Sequence, residues 1–293
     1  MNQAELAPDL RRIRAENPSA LTGTGTNTYL LGRGEVVVID PGPALPAHLA
    51  AILSALAPQE RICAILVTHC HLDHSALANA LSRATGAPTF GFGPAHSGRS
   101  EMMQSLAAQG FPTGGEGFDL SFIPDRFVTH GQSLTIGGLN IEALHTPGHT
   151  GCHLAFAQGD RLFSGDHVMG WSTTLVSPPD GDMAAYMDSL HGLAARPWAA
   201  AFPGHGEVID APSARLTALI AHRMAREAAL LAALGDQARQ TGDLTAQLYA
   251  DTPAHLWPAA ERNVLAHLMK LWQEGKVSAD PKPGPKAFFR KTL

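Results

Sequence analysis

Short apolar runs and polar, glycine-containing turns alternate along the first two thirds of the chain. Residues 26–32 and 35–40 flank Arg33-Gly34, which predicts a β-hairpin. Residues 62–67 are continuously apolar and predict a buried strand, whereas the alanine- and leucine-rich residues 45–57 predict a helix. Strands that alternate with helices in this way are typical of an α/β fold.

The pattern changes after Pro212. Residues 214–240, 242–250 and 258–274 have the apolar spacing of helices. Residues 275–277 and 287–289 predict two short strands around a proline-rich turn. Three helices and a terminal hairpin indicate a winged-helix unit, so we predict two domains, residues 1–210 and 211–293.

Two segments are poorly periodic and predict loops beside a site. Residues 91–120 are rich in glycine and contain methionine, and residues 168–182 contain Trp171 and Pro178-Pro179. The first is predicted to lie over the site and the second to flank it.

Composition is that of ordinary globular material, with 293 residues, 45% hydrophobic and 16% charged. The formal net charge of −5 means that the chain as a whole has no excess of positive charge that would attract nucleic acid. Cys63, Cys70 and Cys152 form no spacing pattern and are expected to be reduced thiols. Residues 1–20 lack the apolar stretch of a secretory signal, and no apolar run is long enough to span a bilayer. We therefore expect a cytoplasmic protein that does not enter the membrane.

The segment from Thr68 to His74 concentrates four potential metal ligands. Three imidazoles and a carboxylate lie within six residues, between the strand predicted at 62–67 and a helix predicted to begin at Ser75. Neutral imidazole and carboxylate are the ligands that zinc takes where thiolates are absent. One turn can direct four such groups at one point, which favours a metal site; they are His69, His71, Asp73 and His74.

Three later segments supply further candidate ligands. Each follows a predicted strand and places its polar side chain next to glycine, which lets the backbone turn sharply. The candidates are His149, Asp166 and His205.

With these motifs the chain resembles the metallo-β-lactamase superfamily, in the His-x-His-x-Asp-His subgroup of glyoxalase II-like, ribonuclease-like and lactonase-like hydrolases. Zinc β-lactamases usually lack the last histidine of that motif, here His74, which argues against that class. The resemblance covers residues 20–210. It implies an αββα four-layer sandwich with a two-metal site at one edge.

The resemblance also implies roles for individual residues. His69, His71 and His149 should hold one metal, and Asp73, His74 and His205 the other. Asp166 should bridge both, together with a hydroxide that serves as the nucleophile. Asp73 is the best candidate for proton transfer to the leaving group, and Asp40 should support the histidine loop. Two zinc ions are expected, with one ion, iron or manganese as alternatives. His145, His153 and His167 are expected to be structural.

The C-terminal pattern narrows the resemblance to the beta-lactamase-like protein 2 family. Further matches are residues 25–30, His222-Arg223 and Arg226-Glu227. Animal members of that family are single-strand-selective endoribonucleases, and bacterial relatives are mostly unassigned hydrolases. A metal-dependent hydrolase that cleaves single-stranded RNA is therefore one prediction.

Two other functions stay open at the level of sequence. The first is a glyoxalase II-like thioester or ester hydrolase of a small molecule, because the lysine and arginine residues of the segment 113–210 are only Arg126, Arg161 and Arg196. The second is a metal-binding protein without turnover. The terminal hairpin carries Phe288 and Phe289, which could stack on bases beside four basic residues, Lys282, Lys286, Arg290 and Lys291. The alternatives for this unit are a cap over the active site or a homodimer contact.

Overall fold

A computed structural model describes residues 3–112 and 117–292. Its first sheet has seven strands among these residues. Strands β1 to β4 are antiparallel and β4 to β7 are parallel. In spatial order the strands are β1 (Gln3–Ala7), β2 (Leu10–Arg14), β3 (Asn27–Leu31), β4 (Glu35–Ile39), β5 (Arg61–Leu66), β6 (Thr89–Gly91) and β7 (Arg126–Phe127).

A second sheet packs face to face against the first. Its order is β12-β11-β10-β9-β8, with only the β11–β12 pair parallel among the described strands. The strands are β8 (Gln132–Ile136), β9 (Leu139–His145), β10 (Leu154–Gln158), β11 (Arg161–Gly165) and β12 (Ala200–Pro203).

Helices cover the outer faces of the two sheets and build the C-terminal unit. They are α1 (Pro46–Ser54), α2 (Leu72–Ser75), α3 (Ala78–Thr85), α4 (Glu101–Ala108), α5 (Met183–Ala194), α6 (Pro212–Leu234), α7 (Thr241–Leu248) and α8 (Trp257–Gln273). A third sheet, in the order β13-β15-β14, joins β13 (Arg239–Gln240), β14 (Val277–Asp280) and β15 (Phe288–Lys291).

The alternation of side chains along β4 shows how the layers form. Val37 and Ile39 pack between the two sheets with Phe156 and Phe163, whereas Val36 packs on the other face towards the helices. Successive side chains of a strand point to opposite faces, so a strand that is apolar throughout is buried on both. The predicted αββα sandwich and winged-helix unit are confirmed.

Three sequence predictions need correction. The segment 91–120, predicted as a loop, contains helix α4, and its residues 113–116 lie outside the described part of the chain. Helix α6 ends at Leu234 rather than near 240. Phe289 is fully buried in the C-terminal core, so of the two phenylalanines only Phe288 is exposed for stacking.

Candidate metal centre

The histidine cluster lies where β5 gives way to a helix. His71 is the N-cap of α2, and Asp73 and His74 lie in that helix, which begins at Leu72 rather than at the predicted Ser75. All four candidate ligands of the segment are buried. Because the helix starts inside the cluster, the loop and the first turn direct their side chains to the same place.

Three strand ends of the second sheet bring the other candidates to this edge. His149 follows β9, Asp166 directly follows β11, and His205 lies just beyond β12. Gly204 allows the close approach: a Cβ atom there would lie 2.5 Å from Asp166 Oδ1 and 2.6 Å from His74 Cε1. The structure therefore gathers all seven candidates that the sequence singled out.

Ring nitrogens of three histidines meet on one side of the cluster. His69 Nε2 lies 3.0 Å and His149 Nε2 lies 3.1 Å from His71 Nδ1. Two donors that are each about 2.0–2.1 Å from one tetrahedral zinc lie roughly 3.3 Å apart. The spacing is therefore close to that of ligands around a single ion.

A second group lies beside the first. Asp73 Oδ2 is 3.3 Å from both His74 Nε2 and His205 Nε2. Asp166 faces both groups, because its Oδ1 is 3.4 Å from His74 Nε2 and its Oδ2 is 3.7 Å from His149 Nε2. One carboxylate in this position can bind to two ions at once.

The donor set fits divalent metal ions. Asp73 Oδ1 and Asp166 Oδ1 are buried without a hydrogen-bond partner in the described structure, and such oxygens are costly unless something binds to them. Five imidazole nitrogens and two carboxylates also match the preference of zinc and of other ions of similar softness. We propose that the two groups hold two ions, with Asp166 between them.

Neighbouring protein groups hold the second ring nitrogen of three of these histidines, His74, His149 and His205. His74 Nδ1 lies 2.9 Å from Asp40 Oδ2, His149 Nδ1 lies 2.8 Å from the Leu175 carbonyl oxygen, and His205 Nδ1 lies 3.3 Å from the Gly25 carbonyl oxygen. A partner of this kind fixes the tautomer and turns the second nitrogen towards a metal.

Asp40 holds the histidine loop as well. Its carboxylate accepts hydrogen bonds of 2.8 Å from both the N–H and the hydroxyl of Thr68. Asp40 has a φ of 51°, the only positive value at a described non-glycine residue. Such a conformation is strained and persists where the surroundings enforce it. The sequence proposed a supporting role for Asp40, and these contacts give that proposal its physical basis.

We expect Asp40→Asn to weaken metal affinity by about 10- to 100-fold, because the amide cannot accept from Thr68 and His74 as a charged carboxylate does. Competition with a chromophoric chelator measures this change. Asp125→Asn is the matched control, since Asp125 accepts the same two bonds of 2.8 Å from Thr89. Equal affinity in Asp40→Asn and the parent protein would contradict the supporting role.

The carboxylates and imidazoles of the cluster shift one another's protonation. Burial alone would raise the pKa of Asp166, but His205 and His74 hold it well below its usual value. Burial would lower the pKa of His205, yet Asp166 and Asp73 raise it to about 9. The pocket therefore keeps its carboxylates ionised at neutral pH, which is the form that binds a cation.

A small cavity of about 60 Å³ opens above the cluster. His71, His149, Asp166 and His205 form its floor. Its walls are apolar or neutral, and among the described residues they include no lysine or arginine. Residues of the wall include Leu21, Met169, Trp171, Ser172, Thr173 and Leu175.

Arginines of the C-terminal helices hold the loop that forms this wall. Arg215 donates to the carbonyl oxygens of Met169 at 2.7 Å and Ser172 at 2.6 Å. Arg223 donates to the carbonyl of Thr174, and Arg262 donates to that of Pro178 at 2.9 Å. The helices α6 and α8 thus fix one side of the cavity.

Two neighbours of the cluster were not identified from sequence. Thr26 donates its hydroxyl to Asp73 Oδ2 at 3.0 Å, and the Phe118 ring lies 4.8 Å from the His71 ring. Thr26 belongs to the segment 25–30, which matched the family in the sequence analysis but was assigned no function there. Phe118 could not be recognised from sequence, because the spacing of apolar residues in its segment follows neither a helix nor a strand.

The fold and this cluster define the class of protein. A family model described as metallo-beta-lactamase superfamily matches residues 21–205, and one described as beta-lactamase associated winged helix domain matches residues 241–284. The chain belongs to the metallo-β-lactamase superfamily. This result and the structure confirm the resemblance predicted from sequence.

Individual relatives cover nearly the whole chain. A beta-lactamase-like protein 2 homolog of Drosophila melanogaster is 35% identical over 287 residues, which are 93% of this chain and 90% of that protein. An atrochrysone carboxyl ACP thioesterase of Aspergillus chevalieri is 29% identical, over 97% of this chain and 87% of that protein. A beta-lactamase domain protein from Burkholderia ambifaria has the same fold, with a TM-score of 0.79 at 24% identity, over 99% and 93% of the two chains.

Among residues 3–112 and 117–292, no helix combines the length and the apolar character needed to cross a membrane.

Proposed function

We propose that this protein is a zinc-dependent hydrolase of carboxylic thioesters or esters. The observation that carries the proposal is the cavity above the metal cluster, whose described walls are apolar or neutral and contain no lysine or arginine. A phosphodiester or a polynucleotide needs cationic groups along its backbone. An ester or thioester carbonyl is uncharged and needs none in the ground state.

The three arginines of the segment 113–210 do not line this cavity. Arg161 pairs with Asp9 at 2.9 Å and Arg196 pairs with Glu142 at 2.8 Å, while Arg126 lies in the edge strand β7. Arg215, Arg223 and Arg262 donate to backbone carbonyls of the loop at residues 168–182, part of which forms the cavity wall. These arginines therefore stabilise the loop and are not available to bind a substrate phosphate.

Two ions bound at the cluster would supply Lewis-acid activation of water and of the scissile carbonyl. The residues themselves orient and confine the reaction. Asp166 lies between the two ligand groups and on the cavity floor, where the scissile bond must come. Thr26 orients Asp73 by donating its hydroxyl to Oδ2 at 3.0 Å. We propose that Asp73 accepts the proton of the attacking water and passes it to the leaving group.

The relatives are consistent with this function. A thioesterase is among the proteins that match over almost the whole chain. An ion held by either ligand group would supply electrostatic stabilisation of the charge that develops on the carbonyl oxygen.

Cleavage of single-stranded RNA is the second candidate, favoured by one feature of the C-terminal unit. Phe288 is 49% exposed on β15, and four basic side chains around it are exposed: Lys282, Lys286, Arg290 and Lys291. An aromatic ring beside cations can bind single strands by stacking and charge. Removing the four charges should lower RNA affinity and its salt dependence if this surface binds RNA.

Turnover by the metal-loaded protein on two substrate classes separates the candidates. One class is a panel of acyl thioesters and esters, and the other is a fluorogenic single-stranded RNA. The Asp166→Ala protein, purified in parallel, controls for contaminating hydrolases and nucleases. Metal-dependent thioester cleavage with inert RNA supports the proposal, and RNA cleavage with inert thioesters overturns it. Inactivity on both classes would support a metal-binding protein without turnover.

A further inference from the structure

Resting on the proposed thioester or ester hydrolysis, we propose that Trp171 divides the substrate site into two parts. The small cavity on one side takes the scissile group. A larger apolar groove on the other side takes the acyl chain of the substrate. Trp171 is then the residue that sets specificity for an elongated apolar acyl group.

The position of Trp171 is fixed against the metal cluster. Its indole packs on Gly206, the residue after His205, where a Cβ atom would lie 2.5 Å from Trp171 Cδ1. Gly206 also has a φ of 86°, which favours glycine. On the other side the ring contacts Gly23, where a Cβ atom would lie 3.1 Å from Cζ2. No larger residue at position 206 could leave the ring in this place.

Trp171 borders both spaces while 48% of its surface stays exposed. The cavity above the cluster holds about 60 Å³, enough for the reacting atoms only. The groove beyond the indole holds about 720 Å³, within the usual range of ligand pockets. Because the two spaces share Trp171 as a wall, the groove lies beside the place where we put the substrate carbonyl.

The groove has an apolar lining. Val208, Ile209, Ala211 and Ala214 form much of its wall, from the end of the sandwich to the start of α6. Its two charged members are engaged elsewhere. Glu207 pairs with Arg12 at 2.7 Å and with Arg14 at 2.6 Å. Arg215 donates to the carbonyl oxygens of the 169–172 loop.

This chemistry assigns the groove to the acyl side of the scissile bond. The carriers of biological thioesters are polar and charged, and they gain nothing from an apolar wall. An alkyl or aryl acyl group loses water on entering the groove, and each buried methylene contributes enough to raise affinity about fourfold. Selection for long acyl groups then follows from the groove.

The test uses acyl thioesters of one carrier, from acetyl to dodecanoyl, with the metal-loaded full-length protein. In the parent protein kcat/KM should rise about fourfold per methylene until the groove is filled. Ala214→Asp places a charge in the groove wall, and Trp171→Ala removes the shared wall. Both should flatten this rise for the longer chains.

Two matched controls make the comparison specific. Ser213→Asp adds the same charge one residue earlier, at an exposed position outside the groove lining. Trp272→Ala removes a tryptophan of similar exposure, 39%, from the C-terminal unit. Both should keep the chain-length dependence of the parent protein. A dependence that is unchanged in Ala214→Asp and Trp171→Ala would overturn the groove assignment.

A binding measurement separates this proposal from the proposed function. Dodecanoate, the product of the longest substrate, is titrated against the parent and Ala214→Asp proteins by calorimetry. Binding that Ala214→Asp weakens about tenfold or more supports the groove even where no thioester is turned over. Thioester turnover without any effect of chain length, and with equal dodecanoate binding in both proteins, retains the hydrolase and refutes the groove.

Discussion

Asp166→Asn should lose at least about 10³-fold in kcat/KM on the proposed substrate and should retain fewer metal ions than the parent protein. Asp166 places Oδ1 3.4 Å from His74 Nε2 and Oδ2 3.7 Å from His149 Nε2, so its charge serves both ligand groups. An amide offers one neutral oxygen and an NH₂ group. It can neither bind two ions nor balance their charge.

The measurement is metal content by elemental analysis together with steady-state kinetics under one loading protocol. Asp160→Asn is the matched control: it makes the same chemical change just before the other end of β11, at an exposed position. The control should match the parent protein in both readouts. Parent-like metal content and turnover in Asp166→Asn would remove Asp166 from the bridging position.

Asp73→Asn should lower kcat by about 10²- to 10⁴-fold, which is the usual contribution of a positioned acid or base. Thr26 holds Asp73 Oδ2 at 3.0 Å, and Oδ1 is buried without a hydrogen-bond partner in the described structure. Asparagine keeps the size of the side chain but cannot carry the proton. It retains one oxygen that can face His74 and His205.

Leaving-group dependence separates proton transfer from metal binding. With thioesters of increasing thiol pKa, the Asp73→Asn defect should grow if the carboxylate delivers a proton, since poor leaving groups need it most. A defect of equal size for all leaving groups, accompanied by loss of metal, would assign Asp73 to metal binding alone. Full turnover with both ions present would exclude both roles.

The sandwich and the membership of the cluster could be predicted because both are local in sequence. Strand β4 is apolar at four consecutive positions and so had to be buried on both faces. His149, Asp166 and His205 each follow a strand next to glycine, and ends of neighbouring strands lie at one edge of a sheet. The ligand roles themselves stay predictions until metal is bound and measured.

The loop at residues 168–182 was predicted to flank the site, and Met169, Trp171 and Leu175 of that loop do line the cavity. Helix α4 could not be predicted, because it depends on distant contacts. Ser100 is the N-cap of α4, and its hydroxyl accepts from the N–H of Met103 at 3.4 Å. The helix packs into the C-terminal core through Met103 and Leu106. That packing makes a helix of a segment with weak periodicity. Phe289 was assigned to the surface because a two-residue aromatic pattern does not say which ring faces the core.

Arg215, Arg223 and Arg262 donate to backbone carbonyls of the loop after Asp166. On the proposed function, the last third of the chain would therefore help to shape the substrate site. Every one of these arginines contacts backbone carbonyls, so the sequence of the loop can drift while its path is retained. Substitutions of these arginines in α6 and α8 should therefore change the position of the loop without changing its sequence. Exchange of the C-terminal unit with that of a relative would replace the contacts that hold the loop, and so would alter the cavity wall even though the loop itself is unchanged.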